Sequence, residues 1–70
     1  MKWLKTIVKT ELRDNETICL FHKSKLNDLS NKEWWKYEEY TLDNIYNTYA
    51  GNEKVKDYWH EDGLCIILDD

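Results

Sequence analysis

The sequence has no proline, two glycines and a single arginine, Arg13, among its 70 residues. With 41% hydrophobic and 14% aromatic residues, the missing proline and scarce glycine argue for one folded domain over residues 1–70 and against a disordered tail. Two glycines also leave no glycine-rich loop, so neither a phosphate-binding loop nor a nucleophile elbow can be written. The lone arginine stands beside nine lysines and fourteen acids, a formal charge of −4. Phosphate and base recognition favour clustered arginine on a basic face, so direct nucleic-acid binding is not expected. No run of about 18 apolar residues occurs, so no membrane span is expected. "MKWLKTIVKTELR" carries no apolar stretch of signal-peptide length, so the chain is expected to stay in the cytoplasm.

Reactive residues are equally sparse. Cys19 and Cys65 lie in the apolar runs "TICLF" and "LCIIL", the usual setting of buried free thiols. Cys19 with His22 and His60 with Cys65 offer four metal-ligating side chains in two pairs. On a strand, however, residues 19 and 22 point to opposite faces, and "ICLFHK" supplies no knuckle turn. Neither a metal nor another cofactor is expected. Two histidines, two serines and the carboxylates of Glu38, Glu39 and "DGLCIILDD" form no acid–base pair with an evident pocket, and "HEDG" reads as a turn. The expectation is a protein that is not an enzyme.

What is present is a set of short elements. A domain of this size buries only about 60% of the surface that its unfolded chain exposes, so every large apolar side chain is a core candidate. Residues 3 to 12 fit both a helical stripe (Trp3, Leu4, Ile7, Val8, Leu12) and one face of a strand (Leu4, Thr6, Val8, Thr10, Leu12). β-branched residues on either side of the polar cluster "RDNE" favour an N-terminal β-hairpin, residues 3 to 12 with 16 to 22. "KSKLNDLS" reads as a polar connection tacked down by Leu26 and Leu29. Ser30 and Glu33 form a capping box, Gly51 a helix stop, and "EKVKDYWH", capped by Asn52, a second short helix with Val55, Tyr58 and Trp59 at i, i+3 and i+4. Gly63 ends that helix, and "LCIIL" reads as a central strand. The predicted fold is a small single-domain α+β sandwich: N-terminal hairpin, two helices, C-terminal strand.

Between Ser30 and Gly51 the sequence interleaves aromatics with charge. At about 100° per residue, Trp34, Trp35, Leu42, Ile45, Tyr46 and Tyr49 fall within one third of a helix circumference, the width of a core-facing stripe. Glu38 falls inside that stripe and opposes it. The rival reading makes 33 to 40 a strand followed by a helix capped by Thr41, with Trp34 and Tyr40 on one face and Trp35 and Tyr37 on the other. On the helix, Tyr37 and Tyr40 lie off the stripe. With the acids Glu33, Glu39 and Asp43 they make the candidate partner-binding site, because exposed tyrosine beside carboxylates is typical of interfaces.

In size, charge and aromatic content the whole chain resembles the small acidic inhibitors that phages and mobile elements encode against host defence or repair enzymes. The resemblance implies an anti-defence protein-binding module whose acids meet a basic partner protein, such as a nucleic-acid enzyme. The alternative is a self-associating regulatory or structural protein, such as an antitoxin or small complex subunit; the two readings allow a monomer or a homodimer.

Overall fold

The computed structural model describes residues 2–26, 30 and 35–70. In chain order its elements are β1 (Lys2–Trp3), α1 (Leu4–Glu11), β2 (Ile18–His22), β3 (Glu38–Tyr40), β4 (Lys54–His60) and β5 (Leu64–Leu68), with 3-10 turns at Lys23–Lys25 and Ile45–Asn47. Among the described residues there is one α-helix and one sheet of five strands, ordered β1-β4-β5-β2-β3. β5 runs parallel to β2, and the other neighbours are antiparallel.

"LCIIL" is continuously apolar because it sits in the middle of this sheet with both faces covered. Leu64, Ile66 and Leu68 point to one face with Ile18 and Leu20, where Leu4, Ile7 and Val8 of α1 and the fully buried Ile45 close the main core. Cys65 and Ile67 point to the other face with Cys19 and Phe21, where Leu26, Trp35 and Trp59 gather. The registers Ile18↔Leu64, Cys19↔Cys65 and Leu20↔Ile66 set this alternation. The central strand is therefore as expected, as is the buried, unbonded state of both cysteines.

The N-terminal hairpin is corrected. Residues 4–11 are helical; of the predicted hairpin only Trp3, in β1, and Ile18–His22 are strand, and β1 pairs with β4 rather than with β2. Of the two stripes available, the helical one buries Leu4, Ile7 and Val8 together over the sheet, which outweighs the weak strand preference of threonine and valine. Thr6 and Thr10 are turned outward, and the Thr10 hydroxyl donates to the Thr6 carbonyl at 2.8 Å, a helix-compatible outlet for its polar group. "RDNE" is a turn as expected, with Asn15 at φ 65° and the Glu16 carboxylate accepting from Arg13 N–H at 2.7 Å.

Both later helices are corrected too. "EKVKDYWH" is almost entirely β4. The register jumps from Val55↔Leu68 to Asp57↔Ile67, so Lys56 is the extra residue of a bulge. The bulge puts Val55 and Tyr58 on the same face although they are three apart, which imitates helical spacing. In the region between Ser30 and Gly51, the described residues hold a strand at Glu38–Tyr40 and one 3-10 turn, so the long helix is absent there. Glu38 decides it: in a core-facing stripe it would lose its solvation, whereas on β3 it meets His22. Trp35 and Tyr37 share the second face and Tyr40 the first, as the rival strand reading has it; the helix after Thr41 shrinks to the 3-10 turn. Of the predicted core residues here, Ile45 is fully buried and Trp35 and Tyr49 half-buried. Leu42 and Tyr46 are instead 57% and 44% exposed. Trp34, Leu29, Glu33 and hence the capping box lie outside the described residues.

Candidate functional site: an acidic, aromatic cleft

Among the described residues, the second face of the sheet is covered less completely than the first. Phe21, on β2, is surrounded by three aromatic rings: Trp35 edge-on at 5.5 Å between centroids, Tyr37 tilted at 5.5 Å and Trp59 stacked at 5.7 Å. Trp35 and Trp59 lie 6.2 Å apart at 65° to one another. Between these rings and the side-by-side thiols of Cys19 and Cys65 is a cleft of about 300 Å³, rimmed by Glu39, Glu61 and Asp62. Among the described residues, the charged ones lining it are all acids.

Each position follows from local structure. Glu39 is opposite Cys19 in the β2–β3 register, so alternation aims it at the cleft. Trp59 is opposite Cys65 on β4. The hairpin turn that follows carries Glu61 and Asp62, with Asp62 at φ 52° and Gly63 at φ 129°. The Trp59 indole N–H donates to Glu61 Oε2 at 3.2 Å, and the Cys65 thiol donates to the Glu61 carbonyl at 3.5 Å, which ties the acid to the cleft wall. Burial pushes Cys65 up to about 11, reinforced by the neighbouring Cys19, and burial with Glu39 nearby raises Cys19. These thiols are neutral at physiological pH and are poor nucleophiles.

The five residues read from sequence divide. Tyr37, half-exposed at 51%, and Glu39 belong to the cleft. Tyr40 is on the opposite face, packed edge-on against Tyr49 at 5.6 Å, with its hydroxyl donating to Glu38 Oε2 at 2.6 Å. Asp43 is exposed in the turn after β3, and Glu33 lies outside the described residues. Phe21, Trp59, Glu61 and Asp62 were not anticipated. For Trp59 and Glu61 the signal was present in the period-two alternation of Asp57, Trp59 and Glu61, which the helical reading concealed.

The histidines lie on the other face, away from the cleft. His22 Nδ1 is 2.6 Å from Asp70 Oδ2, and its Nε2 is 2.7 Å from the Tyr49 hydroxyl and 3.2 Å from Glu38 Oε1. His60 Nδ1 is 3.2 Å from Glu16 Oε2. With both nitrogens of His22 engaged and Ser24 N–H donating to Asp70 Oδ1 at 3.1 Å, this cluster joins the C-terminal residues to β2 and β3. Among the described residues, no group of three or more His, Cys, Asp and Glu could hold a metal ion.

These networks set an expected pH dependence. The Tyr40 hydroxyl holds Glu38 below its ordinary 4.5, against partial burial and with help from His22. Asp70, although burial pushes it up, is held below 3.8 by Ser24 N–H and His22, and the Arg13 N–H holds Glu16 below 4.5. Depressed carboxylates stabilise the fold above their ordinary values, and that contribution is lost as pH falls through the folded ones. For the raised thiols the sign reverses: their contribution is full below 9.0 and is lost as pH rises through about 11 for Cys65. Urea midpoints should therefore be flat between about pH 5 and 8 and fall on both sides. An acid limb that is unchanged in Glu38→Gln, Asp70→Asn and Glu16→Gln together would mean that these pairs contribute nothing.

A wider hollow of about 880 Å³ lies between α1 and the segment at residues 42–50, with Lys5, Lys9, Leu42 and Tyr46 on its walls. Among the described residues its lining has no carboxylate and none of Tyr37, Glu39, Tyr40 and Asp43. No helix among the described residues is long and apolar enough to cross a membrane. No protein-family model, curated protein or solved structure matches the chain.

Proposed function

We propose that this chain is a non-enzymatic protein-binding module, of the small acidic inhibitor type carried by phages and mobile elements, that docks its cleft face on a basic surface of a partner protein. The observation that carries the reading is the cleft itself: aromatic walls, a half-exposed Tyr37 and a rim whose charged residues are Glu39, Glu61 and Asp62. Aromatic anchors supply binding energy once desolvated, while a ring of one charge steers a basic partner into place. A nucleic-acid-binding enzyme in the cytoplasm has such a basic surface, which makes it the favoured partner class.

The edges of the sheet favour a foreign partner over a second copy. β1 has two residues and β3 three, and β3 presents Glu38 and Glu39. Two copies pairing antiparallel along β3 would bring these four carboxylates close together, a repulsive arrangement that blunts edge-to-edge association.

The reading is checked by capture from a host lysate with the wild-type protein and with the double variant Tyr37→Ala/Glu39→Lys. The expected result is a specific basic protein whose affinity falls about thirtyfold or more in the variant, and falls with added salt in the wild type. Tyr40→Phe, altered on the opposite face, should bind as wild type does. Equal recovery by the double variant would remove the cleft from the interface.

A further inference from the structure

The hollow beside α1 differs from the cleft in both place and charge. α1 covers the first face of the sheet, so the hollow and the cleft are on opposite sides of the molecule. In a chain of formal charge −4, the charged residues among its described lining are two lysines, Lys5 and Lys9. Four apart on α1, they are neighbours on one side of the helix. Neither takes part in an ion pair among the described residues. Glu53, the acid felt by Tyr46, turns its carboxylate to the Ala50 and Gly51 N–H groups, at 3.1 and 2.8 Å.

Between the lysines and the segment at residues 42–50 the surface is apolar. Val8 and Leu12 line the α1 side, and Leu42 and Tyr46 the other. Leu42 and Tyr46 are two of the four large hydrophobic side chains exposed among the described residues, and both fell in the core-facing stripe of the sequence. Flanking one hollow, they form a patch rather than the scattered exposure that has no meaning.

Size and chemistry select the occupant. At about 880 Å³ the hollow is within the range of small-molecule sites. A stable protein interface takes about 20–30 residues a side, far more than line this hollow. A purely apolar molecule would ignore both ammonium groups, and a cation would be repelled by them. A small inorganic anion would leave the apolar walls in water. A molecule with one carboxylate and an aliphatic chain satisfies both: the lysines share its head, and the chain covers Val8, Leu12, Leu42 and Tyr46.

We propose that the hollow is a binding site for a free aliphatic carboxylate, with its head held by Lys5 and Lys9 and its chain laid between α1 and the wall of Leu42 and Tyr46. The site is separate from the cleft and does not depend on the docking function.

The test uses the full chain, with the Leu42 methyl and Tyr46 ring signals followed by NMR. Octanoate, butanoate, 1-octanol and octylammonium are titrated below their micelle concentrations. Octanoate should move both signals saturably and bind about fivefold or more tighter than 1-octanol or octylammonium. Butanoate, with less chain to bury, should bind about tenfold or more weaker than octanoate. Lys5→Gln/Lys9→Gln, two exposed changes between residues of similar helix preference, should bring octanoate down to the affinity of 1-octanol and leave 1-octanol itself unchanged. Leu42→Ala should weaken octanoate and 1-octanol alike, by about threefold, while the circular dichroism spectrum stays as in wild type. Equal binding of 1-octanol or octylammonium would overturn the carboxylate assignment, and the absence of a saturable shift at Leu42 and Tyr46 would overturn the site. Shifts caused by vesicles of anionic phospholipid but not by octanoate would make the hollow a membrane contact instead. A dimer in sedimentation that Leu42→Ala dissociates would give it to a second copy. Tyr37→Ala/Glu39→Lys, on the opposite face, should leave octanoate binding unchanged, so the failure of this site and the failure of the docking function are read separately.

Discussion

Gly63→Ala is expected to cost about 2–4 kcal/mol of stability, among the largest effects of any single substitution in this chain. Gly63 closes the hairpin between β4 and β5 at φ 129°, a conformation that side chains rarely adopt. A Cβ there would be 2.8 Å from the Thr17 carbonyl oxygen and 3.0 Å from Thr17 Oγ1. That carbonyl accepts the Leu64 N–H at 2.9 Å, so it cannot retreat without opening the start of the β2–β5 ladder, the parallel seam on which both cores are mounted. Gly51→Ala provides the comparison. Its φ is also positive, at 100°, and its nearest atoms are Lys5 Cβ at 3.0 Å, which moves only with the α1 backbone, and Tyr46 Cε1 at 3.1 Å on a half-exposed ring that can withdraw, with no backbone oxygen among them. Its cost should be about half as large. Urea titration of both variants checks the ranking, and a Gly51 variant less stable than the Gly63 one would refute the account of the hairpin.

The sequence revealed the fold wherever burial was two-sided or where turn chemistry was explicit. "LCIIL" could only be a strand covered on both faces or a buried helix segment, and its five residues are too short for the second. "RDNE" and "EDG" have the residues that left-handed backbone requires, and Asn15, Asp62 and Gly63 all adopt positive φ. Where periodicity was read alone it misled. Residues 4–11 satisfy two periods at once, and what selected the helix was a sheet face needing cover, a fact of tertiary packing that residues 3 to 12 do not contain. β4 misled for the opposite reason. Its bulge at Lys56 inserts one residue into a period of two and places Val55 and Tyr58, three apart, on one face as a helix would, while Trp59 goes to the other.

The candidate site was half legible for the same reasons. Tyr37 and Glu39 were singled out for exposure beside charge, and both line the cleft. Tyr40 was grouped with them by a helical wheel that does not apply; on a strand, one residue from Glu39, it must point the other way, and there it supports Glu38. Glu61 and Asp62 are brought opposite Glu39 only by the pairing of β5 with both β2 and β4. Such an encounter depends on strand order, which local pattern does not encode.

Ile66→Ala should likewise remove about 3–4 kcal/mol, and its comparison with Ile67→Ala shows which face of the sheet is the structural core. Ile66 is fully buried at the centre of β5, opposite Leu20 on one side and Tyr58 on the other, under α1. For 70 residues the whole stability is about 4–10 kcal/mol, so this one cavity would leave the fold near its midpoint at moderate urea. Ile67, 5% exposed, lies beneath the aromatic cluster, where half-buried rings can settle into the space, and its loss should cost about half as much. Leu42→Ala, at a site 57% exposed, should change stability by less than about 0.5 kcal/mol. The order Ile66 over Ile67 over Leu42 follows if α1 closes the main core and the aromatic face is held partly open for a ligand. The reverse order for the two isoleucines would make Phe21, Trp35 and Trp59 a packed second core, and the cleft between them would lose its claim to be a binding site.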